Sequence, residues 1–142
     1  MEWEKIILEH YTPLLKRLVE EYDCHTLFDV TPGWGCRGPR DLEVLAELSR
    51  RSNVNILLCT GYFLTHGVRP PNFGELSVNQ LAEKMIEDLT EGVEGTRVRA
   101  AGIKISVSGK FNAEDLKLLE AAAIAQKATG VPIISCSGNG HS

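Results

Sequence analysis

Four apolar runs that read as strands alternate with four helix-like stretches, and this alternation constrains the chain more than any other feature. Residues 4–22 place Ile7, Tyr11, Leu14, Leu15, Leu18 and Tyr22 at helical spacing, with Pro13 expected to kink or break the pattern. Residues 26–30 read as a short buried strand. Residues 41–51 put Leu42, Leu45 and Leu48 on one helix face, with Asp41 as the expected N-cap. Residues 55–59 form a second apolar strand, stopped by Thr60-Gly61. Ser77 and Gln80 make a capping box ahead of a helix whose inner face is Val78, Leu81, Ala82, Met85 and Leu89, closed by Gly92 and Gly95. Residues 103–107 are the third strand. Asn112 caps a helix with Glu114 and Asp115 in its first turn and Gly130 just past its end, and residues 131–135 are the fourth strand. The order α-β-α-β-α-β-α-β argues a parallel sheet with right-handed crossovers. Both a doubly wound sheet and part of a (β/α)8 barrel satisfy it. No Ser- or Gly-rich linker interrupts the chain, so residues 1–142 read as a single domain.

Composition removes several classes. A chain of 142 residues with 43% hydrophobic content has enough apolar surface for a core and is not of the disordered type. A net charge of −4 lacks the basic footprint of a nucleic-acid binder. No apolar run approaches the ~18 residues of a membrane span, and the start lacks the layout of a secretory signal. Cys24, Cys36, Cys59 and Cys136 form no C-x-x-C pair, and His10, His25, His66 and His141 form neither H-x-H nor H-E-x-x-H. Reduced thiols and a cytoplasmic protein without nucleic-acid or membrane partners are the expectation.

The third strand is the most informative segment. Ile103, Ile105 and Val107 alternate with Lys104, Ser106 and Ser108, so one face is β-branched and the other polar. A doubly wound sheet is covered on both faces and favours apolar residues on each. A polar face suits the interior of a barrel, whose active sites lie at the C-terminal ends of the strands. A lysine buried there has an amine available for Schiff-base or carbamate chemistry. The competing placement is an edge strand with Lys104 in water.

Several segments, in order, resemble the phosphotriesterase family of the amidohydrolase superfamily. They are 98–109 (VRAAGIKISVSG), 121–133 (AAAIAQKATGVPI), 26–32 (TLFDVTP), 59–63 (CTGYF) and 91–96 (EGVEGT), together spanning roughly residues 20–137. The resemblance implies a metal-dependent hydrolase of phosphotriesters and lactones on a (β/α)8 barrel, with zinc the expected metal. It places Lys104 at the position of the carbamylated lysine that bridges two metal ions, Cys136 at a position where the family has a histidine ligand, and Phe63 at a pocket-lining aromatic.

The same resemblance assigns the four strands to barrel strands two to five, so the expected fold is α/β, a partial (half) TIM barrel of four parallel strands with alternating helices. A full barrel takes about 250 residues. The first-strand H-x-H pair is absent, and the positions of a later histidine and aspartate fall beyond residue 142. The expectation is therefore a truncated hydrolase, with a non-catalytic half-barrel serving as an assembly partner as the alternative. Cys136 reads either as a thiolate ligand or as a buried inert thiol. Open strand edges favour a homo-oligomer, and the substrate, if the chain is active, is a small ester or lactone.

Gly33, Gly35 and Gly38 form a G-x-G-x-x-G between a strand and a helix. No acidic residue ends the second strand to hold a ribose, so a loop at the barrel mouth fits better than a nucleotide site. Asp29 reads as a turn cap, His25 as a residue of the stability face, and His66 as an exposed loop residue. His141 reads as a tail residue, and Glu83, Lys84 and Glu87 as a solvated helix face.

Overall fold

The structure, a computed structural model, describes residues 2–32, 39–64, 72–107 and 111–137. The elements, in order, are α1 (Glu2–Tyr22), β1 (Thr26–Asp29), α2 (Pro39–Ser52), β2 (Asn55–Tyr62), α3 (Val78–Thr90), β3 (Gly102–Val107), α4 (Ala113–Thr129) and β4 (Ile133–Ser137). The Gly33/Gly35/Gly38 motif, His66, Ser108 and His141 lie outside the described residues.

The strands follow one another in the sheet as β1-β2-β3-β4. β3 is parallel to β2 on one side and to β4 on the other. A doubly wound sheet reverses its strand order at a switch point, where ligands bind. Here four parallel strands run in sequence with helices between them, which is the topology of half a (β/α)8 barrel. Because β3 is paired on both sides, the edge-strand placement of Lys104 is corrected.

Internal contacts divide the chain into two compact units, Met1–Asp29 with Gly38–Leu57, and Val30–Arg37 with Leu58–Ser142. In the first, α1 runs unbroken through Pro13 rather than breaking there. The carbonyl that Pro13 leaves without an amide partner belongs to Glu9, which is exposed, so water can satisfy it. α2 begins at Pro39, the residue type that suits the first helical position, so Asp41 falls in the first turn and is not the cap. A cavity of about 260 Å³ lies among Tyr11, Leu15, Leu27, Phe28, Asp29, Leu45, Leu48 and Ile56, so Asp29 lines an otherwise apolar space.

In the second unit the core is built from Leu81, Ala82, Met85 and Leu89 of α3, Leu118, Ala121, Ala122 and Ala125 of α4, and Ile103 and Ile105 of β3. Full burial of a Leu, Ile or Met contributes about 1.5–3 kcal/mol each, while the three alanines let α4 approach closely. The expected capping box at Ser77 forms, and the expected cap at Asn112 is a full capping box as well. Ser77 accepts from the Gln80 amide, and the Gln80 side chain takes the Ser77 amide. Asn112 accepts from Glu114 and Asp115 N–H at 2.8 and 3.1 Å, with Asp115 returning the bond. Gly130 closes α4 in the left-handed conformation, φ 76°. α3 ends at Thr90, and Val93–Gly95 make a 3-10 turn before β3.

β1 and β3 differ from their expected spans by one residue, and β2 and β4 by more. β2 continues through Gly61 to Tyr62 rather than stopping at Thr60. β4 begins at Ile133, because Pro132 has no N–H for the ladder; its carbonyl accepts from Ile103 at 3.0 Å instead.

Replacing Asn112 removes the acceptor for two amides at the start of α4. Asn112→Ala is expected to cost about 1 kcal/mol, lowering Tm by about 3 °C in a scanning calorimetry trace.

Candidate active-site face

The registers of the second unit sort its strand residues onto two faces. Thr60 pairs with Ile103 and Tyr62 with Ile105, while Cys59 pairs with Gly102 and Gly61 with Lys104. Lys104 then pairs with Ile134 and Ser106 with Cys136. Residues paired across a parallel ladder share a face, and the face alternates along each strand. Thr60 hydrogen-bonds Asp88 of α3, so its face is the one that meets this helix. The opposite face carries Cys59, Gly61, Lys104, Ser106, Ile134 and Cys136.

Lys104 is only 8% exposed although it is a lysine, and among the described residues no ion pair or hydrogen bond reaches its amine. Such burial is rare for this residue type. Gly61 stands directly opposite it with φ +113°, and a Cβ there would overlap the Lys104 carbonyl oxygen and come to 2.9 Å from its carbonyl carbon. Glycine is therefore required at position 61 on two counts, conformation and space. Ser106, fully buried, is two residues on along the same face. Cys136 lies across from Ser106, one strand over and diagonal to Lys104. It is exposed, which corrects the reading of a buried inert thiol. Phe63 directly follows β2 and is half-buried. Continuing the alternation of β2 one residue past its end would put it on the Lys104 side, opposite Tyr62.

The structure thus brings Lys104, Ser106 and Cys136 onto one face of adjacent strands. A thiolate, and a lysine that has taken up carbon dioxide, are both suitable donors to a divalent metal. Among the described residues no group of three His, Cys, Asp or Glu side chains is placed to hold an ion. The donors present fit part of a metal site and not a whole one.

Sequence reasoning missed a buried cluster behind this face. Thr60 Oγ1 donates to Asp88 Oδ2 at 2.5 Å, and the Asp88 main-chain carbonyl accepts from Ala100 N–H at 2.9 Å. One residue of α3 is thereby tied to β2 and to the approach of β3. Burial pushes the Asp88 carboxyl above its ordinary value, against the opposing pull of the Thr60 hydrogen bond. Burial also pushes the Tyr62 phenol up to about 12, with the Asp88 charge adding to it, so Tyr62 stays neutral at any physiological pH. The legible signal was an aspartate on the inward stripe Leu81, Met85, Asp88, Leu89 of an otherwise apolar helix face. A second cluster joins Lys117 of α4 to Phe73, whose ring meets Tyr62. Its partners are 44 residues apart, and nothing local marks them.

Gly61→Ala is expected to destabilise the fold by about 2–4 kcal/mol through strain and overlap, read as a lowered urea midpoint. Because the folded pKa of Asp88 lies above its ordinary 3.8, the unfolded chain releases this proton first as pH rises. The stability contributed by Asp88 is therefore lost as pH climbs from below 3.8 through the folded pKa, and it is read as the difference between wild type and variant. Asp88→Asn, which keeps an oxygen for Thr60, should lack that decline when Tm is followed against pH.

A family model described as the phosphotriesterase family matches residues 24–142. A phosphotriesterase-related protein of Nematostella vectensis is 36% identical over 104 residues, 72% of this chain and 29% of that protein. An aryldialkylphosphatase of Saccharolobus solfataricus is 33% identical over 103 residues, 72% of this chain and 32% of its own length. An N-acetyltaurine hydrolase of Mus musculus is 31% identical over 98 residues, 67% of this chain and 27% of that enzyme. The crystal structure of the phosphotriesterase homology protein from Escherichia coli, complexed with phosphate in its active site, superposes with a TM-score of 0.78 at 25% identity. It covers 95% of this chain and 44% of that one. The chain spans less than a third of the length of these curated relatives. With a match that runs from the residue before His25 to the end of the sequence, on a sheet of matching topology, the chain belongs to the phosphotriesterase family.

Proposed function

We propose that this chain supplies the Lys104-bearing part of a metal-dependent hydrolase site acting on small phosphotriesters, lactones or related acyl compounds. The observation that carries this reading is a lysine residue only 8% exposed, its amine without a partner among the described residues, on the sheet face away from α3. A buried lysine needs a reason to be kept, and addition of its neutral amine to carbon dioxide, with one N–H proton released to solvent, would convert it to an anionic two-oxygen donor. Zinc is the proposed ion; carbamylated Lys104 and the Cys136 thiolate would hold it, and when bound it would supply Lewis-acid activation of water. Ser106 lies between the two donors in register and Phe63 offers an aromatic surface to the apolar part of a substrate. The relatives include an aryldialkylphosphatase and N-acetyltaurine hydrolases, so ester and amide substrates both belong in the test.

The setting of this reading is the cytoplasm. The described cysteines Cys24, Cys59 and Cys136 are thiols, and none is in a disulfide. No helix among the described residues is long and apolar enough to cross a membrane. Self-association through strand edges belongs to the same proposal, β4 being paired to β3 on one side. A second reading, a non-catalytic half-barrel, is favoured by one specific observation: Cys136 stands where the family is expected to have histidine, and the described residues add no third donor.

The test is a panel of aryl phosphotriesters, lactones and N-acyl amides, assayed with zinc and bicarbonate for the wild type and Lys104→Ala. Turnover by the wild type, reduced at least about 10³-fold in the variant, is the expected result for loss of a group acting at the reacting centre. Zero turnover across the panel in both would favour the non-catalytic reading.

A further inference from the structure

We propose that Lys117 is a positioning residue for the mouth of this site, holding Phe63 in place through Phe73 and Tyr62; the proposal rests on the reading of Phe63 as a pocket residue. The Lys117 ammonium, in the second turn of α4, donates to the main-chain oxygens of Phe73 at 2.8 Å and Gly74 at 3.2 Å. It also stands 5.2 Å from the centroid of the Phe73 ring. Two carbonyls and an aromatic face thus converge on one cation, a combination that fixes both the backbone and the ring of Phe73. The segment it grips is hydrogen-bonded within itself. Asn72 O accepts from Glu75 and Leu76 N–H at 2.9 and 3.2 Å, and the Ser77 capping box follows at once.

The Phe73 side chain is 1% exposed, and its ring meets that of Tyr62 edge-on, centroids 5.9 Å apart at 74°. Tyr62 is the last residue of β2 and Phe63 is the next. Successive strand residues point to opposite faces, so the seat of the Tyr62 ring on the α3 side sets the height and tilt of Phe63 on the Lys104 side. Lys117 belongs to the helix that follows β3, the strand carrying Lys104. The contact therefore ties the end of β2 to the βα unit of the candidate metal-binding lysine, and the spacing between Phe63 and Lys104 depends on it. A displacement of the order of 1 Å at such a point is enough to change how a substrate is held.

The experiment uses the full chain with ¹³C-labelled phenylalanine rings, of which there are four, assigned with Phe63→Leu and Phe73→Leu. Lys117→Met keeps the apolar stem and loses the donors, Lys117→Arg restores donors and cation, and Lys127→Met near the far end of α4 is the control. The ring signals of both Phe73 and Phe63 should shift in Lys117→Met, return toward wild type in Lys117→Arg, and stay put in the control. Movement of Phe73 alone, with Phe63 unmoved, would make Lys117 a purely structural clamp and overturn the proposal. Should Lys117→Met fail to fold, Phe73→Leu, which keeps an apolar wedge and removes the ring contact, must move the Phe63 signal; a fixed Phe63 signal overturns the proposal equally. In turnover, Lys117→Met should raise KM for a bulky aryl ester about tenfold more than for its methyl analogue, with kcat held. Absence of turnover in the wild type would count against the hydrolase reading, and the ring signals would still decide the role of Lys117.

Discussion

The approach of two backbones, Gly61 of β2 against Lys104 of β3, is the constraint on which the rest of the second unit depends. No side chain fits between them, because a Cβ at position 61 would overlap the Lys104 carbonyl. That closeness fixes the register Gly61↔Lys104, and the period of the strands then sets every other residue to its face. A slip of one residue would carry Lys104 to the helix face and Ile103 away from it. The register is therefore what separates a lysine on a chemical face from a lysine in the wrong layer.

The helices hold that register from behind. Asp88 reaches Thr60 with its carboxylate and Ala100 with its carbonyl, so α3 is fastened to β2 and to the entry of β3 by one residue. A carboxyl whose ionisation is disfavoured by burial is a costly fastening, and an apolar residue would pack there at lower cost. Its retention fits a place where strand position matters more than stability. At the C-terminal end of the same strand, Tyr62, Phe73 and Lys117 make a second fastening, this one to α4. Both lie beside the residues that flank Gly61 in sequence.

Much of this was legible in the sequence. The alternating elements, the caps at Ser77 and Asn112 and the Gly130 terminus all follow from local chemistry that tertiary contacts did not override. The polar-apolar alternation of Ile103 to Ser106 announced Lys104 as the residue to explain. What could not be read were choices made by distant partners. β2 runs past Gly61 because β3 is there to pair with it, and β4 starts late because Pro132 can only accept. The exposure of Cys136 depends on which strands flank β4, and free cysteine is usually buried, so residue type pointed the other way. Lys117 looked like any helix-surface lysine until Phe73 was placed under it.

Family membership and partial coverage together define what has to be measured. The proposed site rests on the face bearing Lys104, Ser106 and Cys136, and whether that face holds a metal is a question of binding before it is one of turnover. The most direct measurement is zinc per chain by plasma mass spectrometry, after dialysis against zinc with bicarbonate and then against metal-free buffer. Near-stoichiometric zinc in the wild type, lost in a Lys104→Ala variant that remains folded, is the expected result. A wild type that retains no zinc, or zinc retention indifferent to Lys104, would contradict a functional site on this face.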